Sequence, residues 1–173
     1  MAKIGFGGSC HWCTEAIFLS LKGVDNVQQG WIAADGADAS FSEGVIVSYN
    51  PAMITLPTLI GVHLYTHSCT SNHVMRSKYR SAIYTFDEEE VSIARQSIEN
   101  LQKEYSSPII TRVLTCRDFK INSDEYLNYY YSNPEKPFCE SIVNPKLRLL
   151  MRQFSNEVDS EKLKHLQNST SIS

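Results

Sequence analysis

Short apolar runs alternate along this chain with longer stretches whose apolar positions recur every three or four residues. The two periodicities predict strands and helices in turn. Ile4 to Gly7 reads as a short buried strand. Cys10 to Lys22 reads as a helix, with Ala16, Ile17, Leu19 and Leu21 on apolar faces and Gly23 as its stop. Val24 to Trp31 follows as a strand, 33–40 as a small polar loop, and Gly44 to Tyr49, rich in β-branched residues, as another strand. Asn50-Pro51 marks a turn. Leu56 to His67 is an amphipathic helix with Pro57 in its first turn, where a missing N–H is tolerated. Cys69 to Lys78 is a polar loop and Tyr79 to Phe86 a strand. Asp87 to Tyr105 is a long helix whose acidic first turn suits the positive end of the dipole. Ile109 to Thr115 reads as a strand, Asp124 to Tyr131 as a short helix, Pro134 to Pro137 as irregular and Asn144 to Phe154 as a last helix.

The order β-α-β-β-α-β-α-β, then helices, predicts an α+β domain. Its expected core is a ferredoxin-like split βαβ with a mixed sheet, helices on the sheet and a C-terminal helical or irregular extension. Residues 1–154 are expected to form a single domain. Residues 155–173 are expected to be a polar tail, part helix or disordered. The 173 residues, 42% hydrophobic and 20% charged, suit one globular domain. A net charge of −3, with no cluster of Lys and Arg, argues against a nucleic-acid partner. No 18-residue apolar stretch is present, so no membrane span is expected. The N-terminus MAKIGFGG lacks the apolar region of a signal peptide, so the expected compartment is the cytoplasm.

The candidate chemistry begins at Cys10-His11-Trp12-Cys13, which follows the hinge Gly7-Gly8-Ser9 and opens the first helix. A cysteine there meets unpaired backbone N–H groups and the positive end of the dipole, and both favour thiolate. Cys13 lies one turn along, close enough to pair with Cys10. Five cysteines, at 10, 13, 69, 116 and 139, make a poor disulfide framework and read as one or two reactive thiols plus bystanders. A zinc site would need a second pair, which His63 and His67 at i and i+4 could supply. Trp12 is either a core aromatic or the wall of an apolar socket. Glu43, just before the GVIVSY strand, is a solvated strand-end carboxylate or, if buried near Cys10, a proton donor. Tyr79 opens a strand and is either half-buried filler or a phenol aimed into the same site. Cys139 follows a proline-containing stretch that could carry a second thiol to the first.

Taken together, these segments resemble the methionine sulfoxide reductase A family. GGSCHWCTEAIF is similar to the family's G-C-F-W-x-x-E, matching at Cys10, Trp12 and Glu15. SEGVIVSYNPAMI resembles H-A-E-x-V-x-V-x-Y-D-P-x-x-I and places Glu43 on its glutamate. KYRSAIY matches Q-Y-R-S-x-I-Y, and SNPEKPFCESIVNPK resembles the N-P-x-x-x-x-C region that can carry a recycling cysteine. The four span about residues 4 to 150 in the family's order. The departures are Ser9 and His11 in the signature, the added Cys13, and a shorter loop after Trp31 that lacks the family's tyrosine. TSNHVMRSK also replaces G-N-D-x-G, so the family's aspartate is missing and Asn72 or His73 stands nearby.

The resemblance implies thiol-dependent reduction of methionine S-sulfoxide, free or in proteins, with no metal or organic cofactor. Cys10 is then the nucleophile, Glu43 the acid and Tyr79 a hydrogen-bond donor, with His11 and Trp12 against the substrate. Cys13 or Cys139 resolves the sulfenic acid, proximity favouring Cys13, and thioredoxin or another dithiol is the reductant. Two other classes suit the residues. One is a general dithiol-disulfide oxidoreductase using Cys10 and Cys13 alone; the other is a non-catalytic methionine-sulfoxide binding module.

Overall fold

The computed structural model describes residues 1–72, 74–123 and 127–166. The strands are β1 (Ala2–Gly7), β2 (Val24–Ala34), β3 (Ser42–Tyr49), β4 (Ala82–Thr85) and β5 (Arg112–Ile121). The helices are α1 (His11–Leu19), α2 (Leu56–Thr66), α3 (Glu88–Leu101), α4 (Tyr129–Ser132) and α5 (Asn144–Gln153). Two of the helix starts, those of α2 and α3, follow capping rules. Thr55 Oγ1 accepts from Thr58 N–H ahead of α2, and Asp87 Oδ1 accepts from Glu90 N–H ahead of α3.

The sheet is mixed, as expected for an α+β chain, but it has no free edge. β1 pairs antiparallel with β3 and β4, and β3 pairs antiparallel with β2. β5 then joins β2 antiparallel and β4 parallel, closing the sheet in the order β1-β3-β2-β5-β4. An open ferredoxin-like sheet leaves two outer strands unpaired; here β5 occupies both edges. Closure needs a narrow interior. A Cβ at Gly5 would stand 2.8 Å from Tyr84 Cβ, and one at Gly44 would stand 2.6 Å from Ile32 Cγ2. Ile32, Ala34, Ile46, Ala82 and Tyr84 fill that interior. The other face carries Ile4, Phe6, Val45, Val47 and Ile83, packed under α1 and α2 in the main core. Phe6 and Phe18 stack there at 4.7 Å, joining β1 to α1.

Several boundaries differ from the sequence reading. β5 runs on to Ile121, through the polar stretch CRDFKI, because pairing with β2 rather than burial defines it. Tyr79 lies in a bend before β4 rather than inside a strand. The helix expected from Asp124 is a single α turn at Tyr129–Ser132, and residues 124–126 lie outside the described residues. Cys139–Val143 is π-helical and leads directly into α5. Beyond Ser155, Val158, Leu163 and Leu166 are buried, and Leu21 bridges Val158. Lys22 N–H donates to Glu157 C=O and Asp159 N–H to Ser20 C=O, so this segment docks on the end of α1. No helix among the described residues is long and apolar enough to cross a membrane.

Candidate active site

Cys10 is the N-cap of α1, with extended backbone (φ −51°, ψ 132°). The Cys13 thiol, one turn on, donates to the Cys10 sulfur and draws its pKa below the ordinary thiol value. The N–H groups of Trp12 and Cys13 act in the same direction, while burial and the negative charge of Glu43 oppose it. Cys13 is pushed strongly upward in turn, first by that same hydrogen bond and then by burial. Of the two thiols, Cys10 is therefore the one that ionises first. Cys139 is fully buried in the π-helical turn, its pKa raised by burial, and lies close enough to Cys13 for charges on the two to interact.

Glu43 reaches this helix start by strand alternation. Residues 43, 45 and 47 share one face of β3, the face packed under the helices. Its carboxylate is 6% exposed, and Oε1 accepts the His11 N–H at 3.1 Å. The charged end of the helix thus receives the carboxylate, as the dipole favours. Oε2 faces Lys78 Nζ at 3.5 Å. The Tyr79 hydroxyl hydrogen-bonds Lys78 and is the main reason its pKa rises, with the charge of Glu43 second. Lys78 also lies 5.2 Å from the centre of the Tyr79 ring. One ammonium therefore joins Tyr79 to Glu43.

Trp12 stacks on Tyr129 with ring centres 4.1 Å apart and meets Phe138 edge-on at 5.6 Å. Lys136 caps the Tyr129 ring at 4.1 Å. These rings form an aromatic wall beside Cys10. Glu15 anchors it: its buried carboxylate accepts from Asn128 N–H at 2.9 Å, Tyr129 N–H at 3.3 Å and Gln29 Nε2 at 2.9 Å. Burial raises the Glu15 pKa and these hydrogen bonds resist the rise. His11 is buried, its ring wedged between Trp12 and Trp31. Nδ1 lies 3.0 Å from Gly30 C=O, which can only accept, so Nδ1 carries the proton and Nε2 faces Asn122 Nδ2 at 3.4 Å.

The hinge before Cys10 is fixed from below. His63 Nε2 donates to Gly7 C=O at 2.8 Å, and His67 Nδ1 donates to His63 C=O at 2.5 Å. His67 Nε2 then accepts from Ser81 Oγ at 2.8 Å. Among the described residues no three His, Cys, Asp or Glu side chains are gathered to hold a metal ion, so His63 and His67 do not complete a zinc site with Cys10 and Cys13. Burial holds His67 down at about 4 and His63 well below the ordinary histidine value. The unfolded chain binds a proton at His67 near pH 6.5, whereas the folded chain does not until about pH 4. Stability is thus full above that upper value and is lost as pH falls through the window, by about 3 kcal/mol for His67 alone. A melting temperature that drops between pH 7 and 4.5, with a shallower drop in His67→Gln, is the expected result. A flat profile contradicts the neutral, buried pair.

Cys10, His11, Trp12, Cys13, Glu43 and Tyr79, all identified from the sequence, thus meet around the start of α1. Cys139 lies close enough to Cys13 for their charges to interact. His73 lies outside the described residues. The sequence reading missed Lys78, Tyr129 and Phe138. A signal existed only for Lys78, which occupies the glutamine position of Q-Y-R-S. A groove of about 980 Å³ lined by Pro57, Tyr65, Ile93, Leu101 and Phe154 includes none of these residues.

A thiol biased toward ionisation at a helix start, a second thiol beside it and a buried carboxylate on an α+β scaffold define a thiol-based redox site. Residues 2–158 match the family model described as peptide methionine sulfoxide reductase. The chain is 34% identical over 172 residues to peptide methionine sulfoxide reductase MsrA of Chromobacterium violaceum, covering 90% of this chain and 98% of that protein. In fold it is similar to Mxr1 from Saccharomyces cerevisiae in reduced form, with TM-score 0.70, 21% identity and coverage of 80% of this chain and 88% of that one. It is also similar to Mxr1 in complex with Trx2, with TM-score 0.58, 23% identity and coverage of 74% and 84%. The chain belongs to the peptide methionine sulfoxide reductase family.

Proposed function

We propose that this protein reduces methionine S-sulfoxide, free or in proteins, to methionine. The observation that carries the reading is the placement of Cys10 at the start of α1, its ionisation eased by Cys13 and by the first-turn N–H groups, with Glu43 bound to the first N–H of the same helix. The Cys10 sulfur attacks the sulfoxide sulfur. Electron density moves onto the oxygen; Glu43 takes up a proton from solvent as substrate binds and passes it to that oxygen, while the Tyr79 hydroxyl donates a hydrogen bond. Trp12, with Tyr129 and Phe138 behind it, packs on the substrate methyl, and His11 supports Trp12 from beneath. Methionine leaves reduced, and Cys10 keeps the oxygen as a sulfenic acid.

Cys13 then attacks the Cys10 sulfur, and its proton departs with the hydroxyl as water. The existing Cys13–Cys10 hydrogen bond supports Cys13 over Cys139 as the first partner. Thioredoxin or another dithiol reduces the disulfide; the solved complex of Mxr1 with Trx2 supports a thioredoxin. The electrons come from thiols throughout, so the steps draw on no metal or organic cofactor. The fold supports the finer architectural reading as well. The partial order β4-β1-β3-β2, every pair antiparallel, is that of a split βαβ core, with β5 added across its edges.

Peptide mapping after one turnover without reductant tests the resolving step. A Cys10–Cys13 disulfide with Cys139 open to alkylation is expected. A Cys10–Cys139 crosslink with Cys13 free contradicts it, and persistent sulfenic acid with both other thiols free shows that an external thiol resolves Cys10 directly.

A further inference from the structure

Arg76 sits in the turn between α2 and β4, where the chain departs from the family's pattern. Among the described residues its guanidinium donates to four backbone carbonyls. Nε reaches Ser71 at 2.9 Å and Nη2 reaches Ser68 at 2.6 Å, both within its own loop. Nη1 reaches out of it, to Gly8 at 2.8 Å and Tyr79 at 2.9 Å. Gly8 lies two residues before Cys10. Its φ of +146° is one that side chains rarely adopt, and a Cβ there would stand 2.5 Å from His67 Cδ2. Only glycine fits, so the segment bearing the nucleophile is a flexible backbone that must be held from outside. Tyr79, at the other end of the bridge, sits in a bend rather than in the sheet; its N–H donates to Met75 C=O at 2.9 Å, and its own carbonyl is left for Arg76.

We propose that Arg76 is a positioning residue for the reaction: one guanidinium nitrogen clamps the Gly8 hinge of Cys10 to the backbone of Tyr79 and sets the nucleophile against the phenol. The inference rests on the role given to Tyr79 above. It follows from donor geometry. A planar guanidinium presents five N–H groups in a fixed fork and can satisfy four carbonyls lying around its plane. A lysine ammonium is a compact point with three donors and cannot span the same set. Misplacing a reacting group by about 1 Å can cost on the order of 100-fold in rate. The groups that bias the Cys10 sulfur toward thiolate are Cys13 and the Trp12 and Cys13 N–H groups, all within α1 or its cap, so the clamp acts on geometry rather than on thiolate formation.

The test is a double-mutant cycle. Arg76→Lys and Arg76→Gln are each made alone and combined with Tyr79→Phe. In each protein kcat and KM for methionine sulfoxide are measured with a dithiol reductant, together with the melting temperature and the pH profile of Cys10 alkylation. In folded protein, kcat should fall by about 10- to 100-fold for both arginine variants, with KM within about threefold and the alkylation profile unmoved. Within Tyr79→Phe, the same substitutions should cost much less, because the phenol they align is gone. An Arg76→Lys or Arg76→Gln kcat within twofold of the unaltered protein overturns the proposal. So does full additivity with Tyr79→Phe, or a loss of rate explained by a shifted alkylation profile. If Tyr79→Phe alone leaves kcat unchanged, the role of Tyr79 falls, and with it the coupling to Arg76.

Discussion

Cys10→Ser is expected to abolish methionine sulfoxide reduction, by on the order of 10⁴-fold or more, while leaving the protein folded. The two halves of that expectation have separate causes. Serine is among the best N-cap residues, and Cys10 occupies the N-cap of α1 without a side-chain capping bond. A serine oxygen there can accept the Trp12 or Cys13 N–H that now faces the Cys10 sulfur, so the melting temperature should hold or rise, by an increment equivalent to at most about 1 kcal/mol. A serine hydroxyl does not ionise at neutral pH and cannot capture the sulfoxide oxygen as a sulfenic acid. Steady-state methionine release and a thermal melt check both halves. Turnover by a folded Cys10→Ser protein would remove the nucleophile from the mechanism.

Glu43→Gln should slow turnover by about 10²–10⁴-fold with a much smaller change in KM. The amide oxygen can still accept the His11 N–H that Glu43 Oε1 now holds at 3.1 Å, so the side chain stays in place. It has no acidic proton to deliver, so the oxygen leaving the sulfoxide must find one in solvent. The carboxylate is almost wholly buried, whereas its partner Lys78 is largely exposed. Lys78 stays solvated without the pair, and a thermal melt of the variant separates a rate loss from unfolding. Near-normal kcat in Glu43→Gln across neutral pH would show that the proton comes from another group.

The parts of the site visible in the sequence are those fixed by local rules. A thiol after a glycine hinge and before a helical pattern placed Cys10 at the cap, and the i, i+3 spacing placed Cys13 beside it. Glu43 stood in the sequence only as a carboxylate ahead of a strand read from Gly44; its helix-facing placement appears once β3 is seen to begin at Ser42. What stayed hidden depends on tertiary pairing. Nothing in the polar run CRDFKI signals a strand, because β5 is defined by its two neighbours and not by a buried face. Tyr129 reaches Trp12 only because the distant Glu15 carboxylate holds its backbone N–H. The segment after Ser155 looks like a solvated tail in composition, yet three apolar residues in it dock on the domain. Arg76 reads as one charge in a polar loop until its carbonyl partners are seen.

The central claim is that Cys10 performs stereospecific reduction of a sulfoxide, and one assay addresses it most directly. The purified protein is incubated with a dithiol and, separately, with each epimer of methionine sulfoxide, and methionine release is followed. Release from the S epimer alone, absent in Cys10→Ser, is the predicted result. Saturable binding of the S epimer without release would make the protein a binding module. Insulin-disulfide reduction without methionine release, indifferent to Glu43→Gln, would make it a general dithiol oxidoreductase; either outcome contradicts the account.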